Sequence, residues 1–215
     1  MSELAVPLAP WIAAQRTSLL AQRGHAWLLQ GPSGLGQYAL GLELVRAWLC
    51  DAPTEQGACG QCSSCHAIDV RTHADLCVLM PEVQMMALGW PLSEKAQADI
   101  DDKKRKPSRE IRVEAMRDAV EFSQRTSARG KGKAVLVYPA EQMNHITANA
   151  LLKTLEEPPG DVRFVLASEA AHGEKQRPDL VQVGRLCRRC DLVRIIQKQK
   201  KQSALREKIA ANGAH

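Results

Sequence analysis

Two groups of residues in this sequence have the types and spacing to do chemistry. The first is Leu28-Leu29-Gln30-Gly31-Pro32-Ser33-Gly34-Leu35-Gly36-Gln37-Tyr38. An apolar run from Ala26 to Leu29 leads into a glycine-rich turn, and Tyr38 to Cys50 reads as a helix. Strand, glycine loop and helix is the setting of a phosphate-binding loop. There, backbone N–H groups wrap the phosphates and the helix N-terminus adds partial positive charge. Gly31, Gly34 and Gly36 stand where such a loop needs them. The lysine that would grip the β- and γ-phosphates is replaced by Gln37, and the small hydroxyl that would hold Mg²⁺ is replaced by Tyr38. A neutral amide does not offset triphosphate charge, and a phenol is too long to stand in for serine or threonine. The loop keeps its shape without its chemistry, so no ATP and no catalytic residue are expected.

The second group is Cys50, Cys59, Cys62 and Cys65. Cysteines separated by two residues can turn back and aim both sulfurs at one ion, and Cys50, at the end of the preceding helix, closes a tetrahedron suited to Zn²⁺. Gly57 and Gly60 supply tight turns. Four thiolates leave no position for water, so the zinc is expected to be structural. Free thiols and an iron–sulfur cluster are the rival readings. His66 and His73 lie close enough in sequence to be alternative fourth ligands, though packing or surface roles suit them better. Cys77 falls inside an apolar run and reads as a core residue, and Cys187 and Cys190 form a lone CxxC. Seven cysteines, an odd number, argue against a disulfide framework.

The elements that must position these groups follow from periodicity. Residues 1–25 read as a helical lead-in, 26–30 as a strand, and Leu40, Leu44, Ala47 and Trp48 share one face of the next helix. Leu76 to Met80, Ala134 to Val137 and Phe164 to Ala167 are short, continuously apolar runs, as expected of parallel strands buried on both faces. Helical patterns at Val113, Met116 and Val120 and from Ala148 to Leu155 lie between them. The fold class is therefore α/β, a parallel sheet flanked by helices, with an inserted four-cysteine module at 50–66. The segment 82–109, which carries the run Asp101-Asp102-Lys103-Lys104-Arg105-Lys106, reads as a mobile surface insertion.

Among 215 residues, 45% are hydrophobic and 25% charged, ordinary for a globular protein. No run approaches the roughly 20 apolar residues of a membrane span, and no secretion signal is read at the N-terminus, so a cytoplasmic location is expected. The formal charge of +5 is unevenly placed. Residues 173–215 hold 11 Lys/Arg against 4 Asp/Glu, which leaves residues 1–172 slightly acidic. The globular part gives no electrostatic reason to expect nucleic acid.

In a nucleotide-hydrolysing relative of such a fold, a later buried strand ends in acidic residues that hold Mg²⁺ and polarise water. Here Val135-Leu136-Val137 ends in Tyr138-Pro139, with Glu141 beyond. Neither Tyr138 nor Pro139 can bind the metal.

The run Asn149-Ala150-Leu151-Leu152-Lys153-Thr154-Leu155-Glu156-Glu157-Pro158-Pro159 resembles the signature of bacterial clamp-loader subunits, AAA+ proteins that load the sliding clamp for DNA polymerase III. That family also places a four-cysteine zinc module directly after the loop helix. A broken phosphate loop with a broken acidic motif is similar to the delta prime type. The resemblance, over roughly residues 10–172, implies an AAA+ fold and a stator role in DNA replication, with delta and gamma/tau subunits as partners and DNA met through the complex. It also implies an arginine in a Ser-Arg-Cys motif, for which Arg188-Arg189-Cys190 is the nearest match here. Residues 173–215 are expected not to follow the family, with lid and collar domains absent. They read as a truncated or frame-shifted ending, or as a basic tail, helical from about Leu192 to Ala211, that contacts DNA phosphates. Two rival functions stand beside this one: an active ATPase that tolerates Gln37, and a zinc-ribbon nucleic-acid binder.

Overall fold

A computed structural model describes residues 9–169 and the backbone of 182–185. The strands form where apolar runs occur: β1 (Ala26–Gln30), β2 (Leu76–Leu79), β3 (Lys133–Val137) and β4 (Val162–Ser168). They pair in parallel in the order β2-β3-β4-β1. A fifth strand, β5 (Gln182–Arg185), runs antiparallel along β1, with Trp27 opposite Arg185 and Gln30 opposite Gln182.

Side chains along a strand alternate between the two faces, and the core divides accordingly. Ala26, Leu28, Val135, Val137, Phe164 and Leu166 enter one apolar cluster. Trp27, Leu29, Ala134, Leu136, Val165 and Ala167 enter the other. The first cluster is covered by α6 (Val113–Gln124) and α7 (His145–Glu156), through Met116, Ala119, Leu151 and Leu155. The second is covered by α1 (Pro10–Leu20) and α2 (Gln37–Leu49), through Ile12, Leu19, Leu40 and Leu44. Gly41 lets α2 lie this close: a Cβ there would sit 2.8 Å from Leu136 Cδ1 and 3.3 Å from Val165 Cγ1. Asn144 caps α7 by accepting from the Thr147 amide at 2.9 Å. The expected parallel sheet with helices on both faces is what forms. Among the described residues, no helix is long and apolar enough to cross a membrane.

Two expectations differ from the structure. Residues 82–109, read as a mobile surface insertion, contain α4 (Glu82–Ala87) and α5 (Glu94–Asp101). The segment is tied down by the buried carboxylate of Glu82, which accepts from Arg105 at 2.5 and 2.8 Å and from the Ser108 amide at 2.8 Å. Arg105 belongs to the charge run read as solvated; an ion pair two dozen residues away has no periodic signature. Second, residues 182–185 join the sheet as β5, although they fall inside the stretch read as a tail. Cys187, Arg188-Arg189-Cys190 and the helix expected from Leu192 to Ala211 lie outside the described residues.

The β2–β3 edge is fastened by Asp75, which has no exposed surface. Its carboxylate accepts from Ser127 Oγ at 2.9 Å and from the amides of Ala128 and Arg129 at 2.7 and 2.9 Å, and Lys133 Nζ lies 3.4 Å away. Lys133 is itself buried, 3.9 Å over the Phe122 ring. Burial alone would raise the Asp75 pKa, but these donors and the ammonium more than offset it, and the carboxyl is held below its ordinary range. A depressed pKa contributes stability that is complete above the unfolded carboxylate value, about 3.9, and is lost as pH falls through the folded value. Removing one partner of a buried ion pair costs about 3–5 kcal/mol. Asp75→Ala is accordingly expected to lower the urea unfolding free energy by that amount at neutral pH, with the gap to wild type closing in acid. An unchanged midpoint at pH 7 would refute this role.

Candidate functional site

The glycine loop connects β1 to α2 at the end of the sheet where β4 also stops. Gly36, the residue before α2, is left-handed (φ 85°), and a Cβ there would meet Ile12 Cδ1 at 2.6 Å. Gln37, next in the chain, is buried. Its side-chain amide turns back into the loop and donates to the carbonyls of Gly31 and Pro32, each at 2.7 Å, with the Ser168 carbonyl at 3.4 Å. The Gly31 amide also donates to the Ser168 carbonyl, at 3.3 Å. The loop is thus tied to the ends of both β1 and β4 by the residue that occupies the lysine position.

Tyr38 and Tyr138, read from separate motifs, meet here with ring centroids 5.1 Å apart. The Tyr38 hydroxyl accepts from Trp90 Nε1 at 2.7 Å. Burial raises the Tyr38 pKa. The Tyr138 hydroxyl donates to Glu169 Oε1 at 2.5 Å, and its pKa is pushed well up by burial and by that carboxylate. The other oxygen of Glu169 accepts from Ser33 Oγ of the loop at 3.0 Å. Glu141 accepts from the Glu169 amide at 3.1 and 3.2 Å, and burial raises its carboxyl pKa. The end of the sheet beside the loop is therefore occupied by two phenols in tilted contact and lined by two carboxylates. Trp90 and Glu169 carried no sequence signal: one lies in a segment read as irregular, the other just past a strand.

The cysteine module follows α2 directly. Cys50 caps α2, a turn carries Cys59, and Cys62 caps α3 (Ser63–Asp69) by accepting from the Cys65 amide at 3.4 Å. Cys50 Sγ lies 3.5 Å from Cys59 Sγ and 3.7 Å from each of Cys62 and Cys65 Sγ. All four sulfurs fall within 4.8 Å of one another. A tetrahedral centre with bonds of about 2.3 Å separates its sulfurs by about 3.8 Å, and a disulfide brings them to about 2.05 Å. The observed spacing fits the former, so the donor set and the geometry suit a metal. Backbone amides of Gln61 and Cys62 bring the Cys59 thiol down to about 6, whereas burial pushes Cys65 up to about 12 and raises Cys50. The histidine alternatives do not join this group. His66 is exposed on α3, and His73 is buried with Nδ1 accepting from the Asp75 amide at 3.1 Å. Cys77 packs against the core, and burial pushes its thiol up to about 12.

The sequence reading passed over the polar residues around the module. Asp51 Oδ1 accepts from Ser64 Oγ at 2.9 Å, and Oδ2 accepts from Ser63 Oγ at 3.1 Å and the Ser64 amide at 3.3 Å. These donors, Ser64 foremost, bring its carboxyl to about 2. Arg129 Nη1 donates to Ser64 Oγ at 2.7 Å and Ser63 Oγ at 2.8 Å, 3.4 Å from Asp51 Oδ2. A Ser-Ser pair opening a helix beside Asp51 was the available local hint; Arg129 had none.

Comparison with known proteins extends over the same residues. The family model described as DNA polymerase III, delta subunit, matches residues 14–173. DNA polymerase III subunit delta' of Pseudomonas aeruginosa is 40% identical over 161 residues, which is 74% of this chain and 42% of that protein. The Escherichia coli delta' subunit is 34% identical over 164 residues, again covering 74% and 42%. DNA polymerase III subunit tau of E. coli is 30% identical over 144 residues, covering 67% of this chain and 18% of tau. The chain thus spans less than half the length of these curated relatives. With its loop, cysteine module and the four parallel strands all inside the matched region, this chain belongs to the DNA polymerase III, delta subunit family.

Proposed function

We propose that this chain acts as a non-catalytic clamp-loader subunit of the delta' type, a stator that neighbouring delta and gamma/tau subunits dock against while the sliding clamp is loaded. The observation that carries this reading is Gln37, whose amide is bound to the loop's own carbonyls in the place of a phosphate-gripping lysine. Tyr38 and Tyr138 support it, since they fill the positions of the Mg²⁺-holding hydroxyl and acid. Glu169, hydrogen-bonded to Ser33, adds a negative charge that opposes a polyphosphate. What remains is the shape of a nucleotide-binding domain without its switch, which suits a fixed docking body. The reading places the protein in the cytoplasm and brings it to DNA through the complex. The basic residues beyond β5 would add at most weak, salt-dependent contact with phosphates.

The same reading assigns a structural Zn²⁺ to Cys50, Cys59, Cys62 and Cys65. Bound there, the ion would cross-link the end of α2 to α3, its coordination sphere filled by thiolates. Binding requires deprotonating the buried thiols, so it releases protons and weakens as pH falls.

The test is co-purification of the full chain with its cell's delta and gamma/tau subunits. Entry into a stoichiometric complex is expected; a chain that remains alone would remove the stator reading. Gln37→Lys combined with Tyr38→Thr is expected to give no ATP turnover, because Tyr138-Pro139 still supplies no metal-holding acid; measurable hydrolysis by that double variant would overturn the non-catalytic assignment. Cys62→Ser should lose bound zinc and lower the melting temperature together, whereas one zinc per chain with unchanged melting would exclude Cys62 as a ligand.

A further inference from the structure

The cysteine module has two arms with separate supports. Cys50 ends α2 and moves with the sheet, whereas Cys62 and Cys65 belong to α3. Cys50 Sγ lies 3.5 to 3.7 Å from each of the other three sulfurs, so the spacing of the two arms decides whether all four can meet one ion. Sulfur–sulfur contacts cannot themselves set that spacing before an ion is present.

One side-chain cluster bridges the arms. Asp51, next to Cys50, takes the Ser64 amide and both serine hydroxyls at the start of α3. The Arg129 guanidinium closes over the same two hydroxyls at 2.7 and 2.8 Å. Arg129 comes from the loop before β3, and its backbone amide is held by buried Asp75, so the clamp is referred to the sheet rather than to the module. Ser64 is fully buried, which gives the bridge a fixed seat. Charge also favours the arrangement: four thiolates around Zn²⁺ leave two negative charges, and Asp51 adds a third that Arg129 offsets.

We propose that Asp51 and Arg129 are positioning residues for the metal centre: they set the distance between the Cys50 arm and the α3 arm so that four sulfurs meet at one ion. The proposal rests on the zinc reading above. Neither residue supplies a ligand atom. Their side chains are 39% and 35% exposed, and an ion pair so exposed contributes little to global stability. Partners that orient metal ligands, by contrast, typically change metal affinity by about 10–100-fold when removed. The two quantities therefore separate a positioning role from a general structural one.

The experiment uses the full chain and the variants Asp51→Asn and Arg129→Ala, each stripped of metal and titrated with Zn²⁺ against a chromophoric chelator. Co²⁺ loaded in place of zinc reports the ligand-field spectrum of the site. Arg129→Ala leaves the Asp75 backbone anchor intact, and Asp51→Asn keeps the shape of the carboxylate, so both should fold. Expected are a Zn²⁺ dissociation constant raised about 10–100-fold and an altered Co²⁺ spectrum, with metal-free melting close to wild type. Wild-type affinity and spectrum in both variants would overturn the proposal while leaving the zinc reading in place. Affinity lost only in proportion to metal-free stability would also overturn it, since that marks a general structural role. A wild-type chain that takes up no zinc would overturn the zinc reading, and this proposal with it.

Discussion

Asp75 sits without solvent contact at the start of β2, and the rest of the β2–β3 edge depends on what converges on it. Three protein donors and the buried Lys133 ammonium satisfy its carboxylate. A charge in that position is tolerable only because every lone pair is engaged; unpaired, it would cost more than most single contacts in the fold contribute. By holding the amides of Ala128 and Arg129, it fixes the loop from which Arg129 reaches the cysteine module. One buried anion thereby relates two parts of the molecule that are far apart in sequence.

At the other end of the sheet the organising constraint is satisfaction of backbone groups. A glycine loop leaves carbonyls and amides without regular partners. In a phosphate-binding domain the ligand and a lysine take part in satisfying such a loop. Here Gln37 supplies two donors from within the chain and is buried in doing so. The tilted pair Tyr38 and Tyr138 then fills space next to it, each phenol given a polar partner, Trp90 or Glu169. Two of the loop's carbonyls are thus satisfied by Gln37 from within the chain.

The cysteine module is constructed differently. Its sulfurs form a cluster that no disulfide closes, with one thiol brought down to about 6 and another pushed to about 12. An ion held by the four sulfurs would displace their remaining protons, and the polar frame around them is built from other residues, Asp51, Ser63, Ser64 and Arg129. A metal held there would act on the same two arms as the frame, α2 through Cys50 and α3 through Cys62 and Cys65.

Much of this was legible in the sequence because its causes are local. Parallel strands covered on both faces must be apolar throughout, so β1 to β4 announce themselves as short runs. The loop glycines and the cysteine spacing are visible for the same reason: backbone turning and chelation act over a few residues. The residue types at Gln37, Tyr38, Tyr138 and Pro139 could likewise be read by position. The tertiary structure alone decided what those residues do instead. Gln37 reaches Ser168, Tyr38 meets Trp90, Glu82 holds Arg105, and Arg129 bridges to Asp51 and Ser64. Each is a contact made by a side chain with a group far away in the chain, selected by burial and hydrogen-bond satisfaction after the sheet has formed. Contacts of that kind leave no period or spacing in the sequence, because the backbone between the partners is free to take any route that brings them together.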